Sequence, residues 1–258
     1  MKRTWITIMA LLLCAIPTIV NGQPDEARQG ETLPELADAY PGVILIRGNP
    51  DTNQIALTFD DGPDPRFTET VLNTLEDYGV QATFFVIGER AEANPDYIRR
   101  IQEEGHELGN HTFSHPNLTD LTADQMQTEI EQTDEIIEQL VGYQPTLFRP
   151  PYGMILDSQM ERLEQMGNYA VGWTVDPNDW QEISAEEVTA RVLADTTAGG
   201  VILLHDGVDE PSLTVNSPEA LNELIPRLQQ AAFSLSQLQN CSTCLMRNKR
   251  NADWRYIL

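Results

Sequence analysis

The order of hydrophobic and polar positions predicts that strands and helices alternate along most of the chain. Apolar runs rich in β-branched and aromatic residues indicate strands, and apolar residues at helical spacing indicate helices. Strands are expected at residues 43–46, 55–59, 82–87, 107–109, 147–148, 170–175, 201–204 and 233–235. Helices are expected at residues 67–78, 95–104, 122–141 and 159–166, and from residues 184 and 217 onward.

Helix starts within this pattern carry recognisable capping residues. Thr122 and Ser184 each precede a Gln or Glu at the third following position, which is the spacing of a capping box. Asn94 stands before a proline that suits the first helical position. About seven repeats of strand and helix predict an α/β fold with a parallel sheet, either open or closed into a barrel.

The N-terminal segment is typical of a secretory signal peptide. Lys2 and Arg3 precede an apolar run at residues 5–20, and Gly22 ends a plausible cleavage site. The apolar run is short for a membrane-spanning helix, but an uncleaved N-terminal anchor is the alternative. Cys14 lacks the small preceding residue of a lipoprotein signal. The sequence therefore predicts a protein that is secreted, periplasmic or in the cell envelope, without stable membrane contact once the signal is cleaved.

The predicted signal peptide and the regions beyond it divide the chain into four parts. Residues 1–22 are the signal, residues 23–52 are an N-terminal arm or linker that is polar and acidic over residues 23–39, residues 53–239 form one domain, and residues 240–258 form a tail. The tail holds Cys241 and Cys244, which are too few for a four-ligand zinc site. In an exported protein a local disulfide is favoured over a redox-active pair.

The charge balance of the chain is strongly acidic. It has 16 basic and 40 acidic residues and a net charge of −24, while 41% of residues are hydrophobic, as in globular proteins. Such a charge repels phosphates, which argues against a nucleic-acid partner and against an anionic membrane surface. The acidic residues are spread along the helices, so they indicate a well-solvated surface and do not identify a reaction.

Polar side chains gather where the predicted strands end. In parallel βα folds, active groups cluster at the carboxyl ends of the strands. Five predicted strands are followed by such groups: Asp60–Asp61, His111 to His115, Arg149 to Gly153, Asp176 to Trp180, and His205–Asp206. Five polar strand ends at one rim predict a functional site there.

Histidine placement points to a metal at this rim. The chain has four histidines. His111 and His115 lie four positions apart, so a helical turn would bring both rings to one face. Two histidines and a carboxylate form a zinc-like set with positions left for water and substrate. His205 follows another strand, whereas His106 precedes its strand and is expected to be structural.

The motifs at these strand ends resemble those of the polysaccharide deacetylases of the NodB-homology type, carbohydrate esterase family 4. The five family motifs stand here as TFDDGP (58–63), HTFSH (111–115), RPPYG (149–153), DPNDW (176–180) and ILLHD (202–206). They occur in the family's order and extend over about residues 53–235. The resemblance implies a distorted (β/α) barrel of about seven parallel strands, in agreement with the alternation described above.

The resemblance also implies roles for the residues nearest the metal. Asp61, His111 and His115 are expected to be the metal ligands, and Asp60 the general base that acts on water. Arg149 is expected to position Asp60. An ordinary Asp-Gly-Pro turn explains Asp61 but leaves Asp60 unexplained, and this division of roles accounts for both aspartates.

The remaining roles concern the leaving group and the acyl pocket. By resemblance, His205 donates a proton to the leaving group and Asp179 orients it. A backbone N–H near Tyr152 would stabilise the oxyanion. Trp180 and Leu203 would line a small apolar pocket for the acetyl methyl group.

The resemblance implies a metal-dependent hydrolase that removes N-acetyl groups from N-acetylglucosamine polymers, such as chitin oligomers or peptidoglycan. The alternatives are an O-acetyl esterase acting on xylan-type polysaccharide and a catalytically silent carbohydrate-binding member. Zinc is the expected metal, although a site of two histidines and one carboxylate also accepts Co²⁺, Ni²⁺ or Mn²⁺. The protein is expected to be a monomer whose partner is its polysaccharide or oligosaccharide substrate.

Overall fold

A computed structural model describes residues 30–208, 210 and 212–238. The predicted signal peptide, the first residues of the arm and the tail with Cys241 and Cys244 lie outside the described residues. Within the described part of the chain, none of the helices is both long enough and apolar enough to span a membrane.

The described strands are short and mostly buried. They are β1 (Glu31–Thr32), β2 (Ile44–Leu45), β3 (Gln54–Asp60), β4 (Thr83–Val86), β5 (Glu107–Asn110), β6 (Leu147–Phe148), β7 (Met154–Ile155), β8 (Tyr169–Val171), β9 (Val201–His205) and β10 (Ser234–Ser236).

The helices follow these strands in alternation. They are α1 (Leu33–Leu36), α2 (Thr68–Tyr78), α3 (Gly88–Ala93), α4 (Pro95–Glu103), α5 (Ala123–Val141), α6 (Asp157–Met166), α7 (Ala185–Asp195) and α8 (Ser217–Gln230). The capping box predicted at Thr122 is confirmed, because its hydroxyl accepts from Gln125 N at 3.2 Å and Gln125 Oε1 accepts from Thr122 N at 2.9 Å. Helix α3 was not predicted from the sequence pattern.

Eight of the described strands form one parallel sheet that curls into a half-barrel. The order along the sheet is β2, β8, β6, β5, β4, β3 and β9, and β10 lies beside the first half of β3. All these pairings are parallel, whereas β1 and β7 form a separate antiparallel ribbon. The predicted α/β fold with about seven parallel strands is therefore confirmed.

Strand β3 shows how alternation separates the two faces of the sheet. Ile55, Leu57 and Phe59 belong to the core shared with α2 and α8 on the outside of the sheet. Ala56 belongs to the cluster on the inner face, and Thr58 and Asp60 share its side of the strand. The period of two thus delivers a carboxylate to the mouth of the half-barrel while its neighbours build the core.

The segment before β3 is more closely packed than the sequence interpretation expected. Leu33 and Leu36 of α1 are 1% and 3% exposed, and they join a core cluster with Leu118, Met126 and Phe148. Within the described residues, the segment from residue 31 is therefore part of the folded body, and the expectation of a loosely attached arm was wrong for it. Two leucines spaced three apart, as on one face of a helix, were the sequence pattern that could have indicated this packed segment.

Candidate active site

The two adjacent aspartates occupy different environments at the end of β3. Asp60 is the last residue of the strand, and Asp61 has φ of 72°, a left-handed conformation that is uncommon outside glycine. The carbonyl of Asp61 accepts from Arg90 Nη1 at 2.5 Å. A Cβ at Gly207 would lie 2.3 Å from that carbonyl oxygen, so glycine permits the close approach of the β9 loop. These contacts fix the backbone of Asp61, and the carboxylates of Asp60 and Asp61 both lie near His111 Nε2, at 3.8 and 3.4 Å.

His111 and His115 meet through a loop and not through a helical turn, so the helical expectation was wrong. The loop has left-handed residues at Thr112 and His115, with φ of 70° and 58°. The two imidazole centroids are 4.9 Å apart. His111 Nδ1 donates to the carbonyl of Arg149 at 2.6 Å, which leaves Nε2 to face the carboxylates.

Asp61 and the two histidines fit a metal ion. Asp61 Oδ1 lies 3.4 Å from His111 Nε2 and 3.2 Å from His115 Nε2. One potential ligand atom from each residue lies within 4.8 Å of the others. Asp61 Oδ1 is buried and makes no hydrogen bond among the described residues. A buried carboxylate oxygen between two imidazole nitrogens is the donor set that a divalent ion would satisfy.

The pKa of Asp61 reflects the same surroundings. Burial by itself raises the pKa of this carboxyl, but the imidazoles of His111, His115 and His205 outweigh burial and hold it well below its usual range. Asp61 is therefore ionised at neutral pH, which is the form that binds a metal ion.

Asp60 is held by a buried arginine. Arg149 is 0% exposed, and its Nη1 donates to Asp60 Oδ1 at 2.6 Å and to Thr58 Oγ1 at 2.8 Å. Its remaining nitrogens donate to the carbonyls of Val171 and Gly172 at 3.2 Å. The guanidinium lies over the Phe85 ring at 4.1 Å. Arg149 thus crosses the inside of the half-barrel and fixes one oxygen of Asp60.

His205 forms a second carboxylate pair in the same pocket. Its Nδ1 donates to Asp179 Oδ1 at 2.7 Å, and its backbone N–H donates to Asp179 Oδ2 at 2.8 Å. The Ser217 hydroxyl also donates to Asp179 Oδ2. Burial lowers the pKa of His205, but Asp179 and the charges of Asp61 and Asp60 outweigh it and raise the pKa to about 10. His205 is therefore protonated at neutral pH, with Nε2 available to a substrate.

The proposed ligand residues, Asp60 and His205 line one pocket of about 490 Å³. Its apolar wall includes Leu203, which is 3% exposed, and Trp180 and Tyr152, which are 53% and 60% exposed. The pocket also contains Trp173 and Asp176. The expectation that these strand ends meet at one rim is confirmed, since the pocket gathers residues from five separate strand ends.

Some residues of the site were not identified from the sequence. Thr58 accepts a hydrogen bond from Arg149, and Ser217 donates one to Asp179. Trp173 forms part of the pocket wall. Thr58 occupies the inward position two residues before Asp60, so strand alternation could have identified it. The sequence predicts Ser217 only as the start of a helix, and nothing in its local sequence indicates a contact with Asp179, 38 residues away.

His106 lies outside this pocket, as the sequence predicted. Its Nδ1 accepts from Ala82 N at 3.2 Å, just before the start of β4, and its ring packs edge-on against Phe84. This position belongs to the opposite rim of the sheet. Burial lowers the pKa of His106, which favours a neutral structural imidazole.

Comparison with known proteins gives consistent matches along the sheet domain. The profile of the family described as "Polysaccharide deacetylase" matches residues 47–171. A peptidoglycan-N-acetylglucosamine deacetylase of Bacillus cereus is 43% identical over 176 residues, which cover 68% of this chain and 63% of the relative. The chain thus spans less than two thirds of that relative's length. A chitooligosaccharide deacetylase of Azorhizobium caulinodans is 35% identical, over 72% of this chain and 93% of the relative.

Solved structures agree with the sequence matches. A crystal structure of the Bc1960 peptidoglycan N-acetylglucosamine deacetylase aligns with a TM-score of 0.76 and 38% identity. The alignment covers 80% of this chain and 95% of that one. Together with the five motifs and the half-barrel that carries them at one rim, these matches establish that the chain belongs to the polysaccharide deacetylase family, carbohydrate esterase family 4.

Proposed function

We propose that this protein is a metal-dependent hydrolase that removes N-acetyl groups from N-acetylglucosamine-containing polysaccharide. The observation that carries the proposal is the presence of two separate charge pairs, Asp60–Arg149 and Asp179–His205, beside one metal-ligand set. One pair holds a carboxylate ready to accept a proton, and the other holds an imidazolium ready to donate one. Amide hydrolysis requires both transfers.

Peptidoglycan is the favoured polymer and chitin oligomers are the second choice. The more similar relative described above is a peptidoglycan-N-acetylglucosamine deacetylase at 43% identity, and the chitooligosaccharide deacetylase is 35% identical. Both substrates present an N-acetyl group on a glucosamine unit, so the same reacting atoms would enter the pocket.

Asp61, His111 and His115 would hold the metal, which we propose to be zinc. A divalent ion bound there supplies Lewis acidity, which lowers the pKa of water and polarises a carbonyl. Asp61 brings an ionised carboxylate, and His111 is oriented by its bond to the Arg149 carbonyl. This bond fixes the His111 tautomer in which Nε2 is the ligand atom.

Asp60 would act as the general base. Arg149 occupies its Oδ1, so Oδ2 is the oxygen that can accept the proton of the attacking water. The bond from the buried guanidinium restricts rotation of the Asp60 carboxylate. A positioned general base of this kind contributes roughly 10²–10⁴-fold to the rate.

His205 would protonate the leaving nitrogen. Asp179 binds Nδ1 of the ring, so the proton on Nε2 is the one that can be transferred to the amine. An amine leaves poorly as an anion, which makes this proton transfer necessary for an amide. Asp179 would orient the ring and stabilise the imidazolium before the transfer.

Leu203, Trp180 and the loop at Tyr152 would surround the acetyl group and the sugar. Leu203 is buried at the base of the apolar wall and suits a methyl group. Trp180 and Tyr152 expose more than half of their surfaces, and exposed aromatic faces suit the apolar face of a sugar ring. A backbone N–H in the Tyr152 loop would stabilise the oxyanion.

We further propose that the protein acts outside the cytoplasm, because its N-terminal segment is typical of a signal peptide. We also propose that it acts as a monomer. Both polymers are extracellular or part of the cell envelope. The cysteine pair in the tail is consistent with an oxidising compartment.

Acetate release from a panel of substrates tests the proposal. The purified protein would be stripped with a chelator, reloaded with Zn²⁺, Co²⁺, Ni²⁺ or Mn²⁺, and assayed on peptidoglycan, chitin oligomers and acetylxylan. We expect metal-dependent release from peptidoglycan above that from chitin oligomers. Preferential release from acetylxylan would instead establish the O-acetyl esterase, and binding without release would establish the silent carbohydrate-binding member.

A further inference from the structure

A carboxylate on α5 holds the loop that connects the two histidine ligands. Glu129 Oε2 accepts from the backbone N–H groups of Phe113 and Ser114, at 2.9 and 2.8 Å. Its Oε1 accepts from the Ser114 hydroxyl at 2.9 Å. Glu129 comes 14 positions after His115 in the sequence. Its side chain therefore reaches the middle of the His111–His115 loop from outside the pocket and makes three hydrogen bonds to it.

This loop requires support because its backbone is strained. Thr112 and His115 both adopt positive φ, a conformation that is disfavoured outside glycine. Other groups also support the loop, since Glu89 N donates to the Phe113 carbonyl at 3.0 Å and His115 N donates to Thr112 Oγ1 at 3.1 Å. Asn110 Oδ1 accepts from Thr112 N at 2.8 Å, and Gly88 N donates to the Thr112 carbonyl at 2.9 Å. The backbone N–H groups of residues 113 and 114, by contrast, both donate to Glu129.

We propose that Glu129 is a positioning residue for the metal site, holding His111 and His115 at the spacing that a divalent ion requires. The inference rests on the proposed function, since it presumes that these histidines bind a metal ion. Glu129 itself lies outside the ligand set and acts through the loop backbone.

Removing the carboxylate leaves three donors of the loop without their partner. The loop can then relax toward ordinary φ values, which turns the two imidazoles away from their common point with Asp61. Changes to groups that orient metal ligands typically weaken metal binding 10–100-fold. Glutamine should rescue much of this loss, because its carbonyl oxygen can accept both backbone N–H groups and its amide can donate to the Ser114 hydroxyl.

The test measures zinc affinity directly, by competition with a chromophoric chelator, on the full chain. We expect Glu129→Ala to raise the zinc dissociation constant 10–100-fold and Glu129→Gln to return it to within about fivefold of the unmodified protein. Glu131→Ala is the matched control, because Glu131 is exposed on the same helix and bonds only to Gln127 among the contacts described for it. The control should change the constant less than twofold. The melting temperature of each metal-free variant separates loss of metal affinity from loss of folding.

The possible outcomes distinguish this inference from the function on which it rests. Tight zinc binding by the unmodified protein and equally tight binding by Glu129→Ala would overturn the positioning role alone. A chain that binds no zinc in any form would overturn the proposed metal site and this inference with it. If Glu129→Ala does not fold, Glu129→Met keeps the length of the side chain without its acceptors, and the same loss of affinity is expected.

Discussion

Asp60 and His205 are partners in the parallel pairing of β3 and β9, and each is the last residue of its strand. This register places the proposed base beside the proposed acid at one edge of the sheet. Arg149 binds the Asp60 carboxylate and Asp179 binds the His205 ring, so each of the two residues has a counter-ion of its own. The arrangement predicts that the two residues can be inactivated independently.

Replacement of Asp60 should reduce turnover, whereas replacement of Asp61 should reduce zinc binding. Asp60→Asn keeps the metal ligands intact, so we expect normal zinc content and a turnover reduced 10²–10⁴-fold. Asp61→Asn should lose zinc itself, because a neutral amide replaces the anionic ligand. Metal analysis by atomic emission together with kcat measures both effects. Equal loss of zinc in the two variants would contradict the division of roles.

Replacement of His205 should affect amides more than esters. An activated acetate ester has a leaving group that needs little protonation, whereas an amine needs it fully. His205→Ala is therefore expected to lose far more rate on an N-acetylglucosamine oligomer than on the ester, with unchanged zinc content. The comparison is made from kcat/KM on both substrates. The same fractional loss on both would mean that His205 only shapes the pocket.

The pH dependence should respond to Asp179. His205 has a pKa of about 10 because Asp179 and the neighbouring carboxylates outweigh the effect of burial. Activity that needs the protonated imidazole is present below this pKa and is lost as the pH rises through it. Asp179→Asn removes the charge, so the alkaline limb of the pH–rate profile should move down toward the ordinary histidine pKa of 6.5.

Ser217→Ala provides the control for this shift. It removes the hydroxyl that bonds Asp179 but leaves the carboxylate charge in place. The alkaline limb should then move much less than in Asp179→Asn. A profile that is unchanged in Asp179→Asn would show that another group sets the alkaline limb.

The acyl pocket should accept larger groups when Leu203 is shortened. Leu203→Ala opens space at the buried base of the pocket, and one methylene in an apolar pocket is worth about 10–200-fold in discrimination. We expect the ratio of N-butyryl to N-acetyl hydrolysis to rise roughly 10-fold or more. Trp180→Ala, on the exposed side of the same wall, should mainly raise KM. An unchanged acyl ratio in Leu203→Ala would place the acyl group elsewhere.

Stability should depend on pH through Asp134 of α5. Burial raises the pKa of Asp134 to about 7, although its hydrogen bond from Asn110 acts in the opposite direction. Because the folded-state pKa exceeds the ordinary value of 3.8, the stability associated with the protonated form is present below about pH 4 and is lost as the pH rises through 7. Asp134→Asn should therefore be more stable than the unmodified protein near pH 8, by roughly 2–4 kcal/mol.

The difference should become small near pH 4, where Asp134 is protonated in the folded state and about half protonated in the unfolded state. Denaturant unfolding at pH 4, 6 and 8 measures it. Glu131→Gln, at an exposed position on the same helix, should show no comparable pH dependence. A constant difference between Asp134→Asn and the unmodified protein at all three pH values would contradict the assignment.

The sequence by itself determined the fold class and most of the residues that line the candidate site. Alternation of period two and of helical period is local, so it revealed the strands of the parallel sheet, most helices and the rim on which the polar groups meet, but not the ribbon of β1 and β7. Short linear motifs identified Asp60, His111 and Arg149, because each lies directly at the end of an apolar run. Helix α3 and the packed residues of α1 were missed, since both elements are short and gain their stability from tertiary contacts.

The tertiary structure alone decided how these residues work together. No local pattern places Arg149 through the half-barrel onto Asp60, because the bond joins residues 89 positions apart. The loop between His111 and His115 adopts positive φ where the spacing had suggested a helical turn, and Glu129 of the following helix holds it by hydrogen bonds to its backbone. Motifs record which groups a site needs, whereas their distances, charge states and supports come from long-range packing that no short stretch of sequence contains.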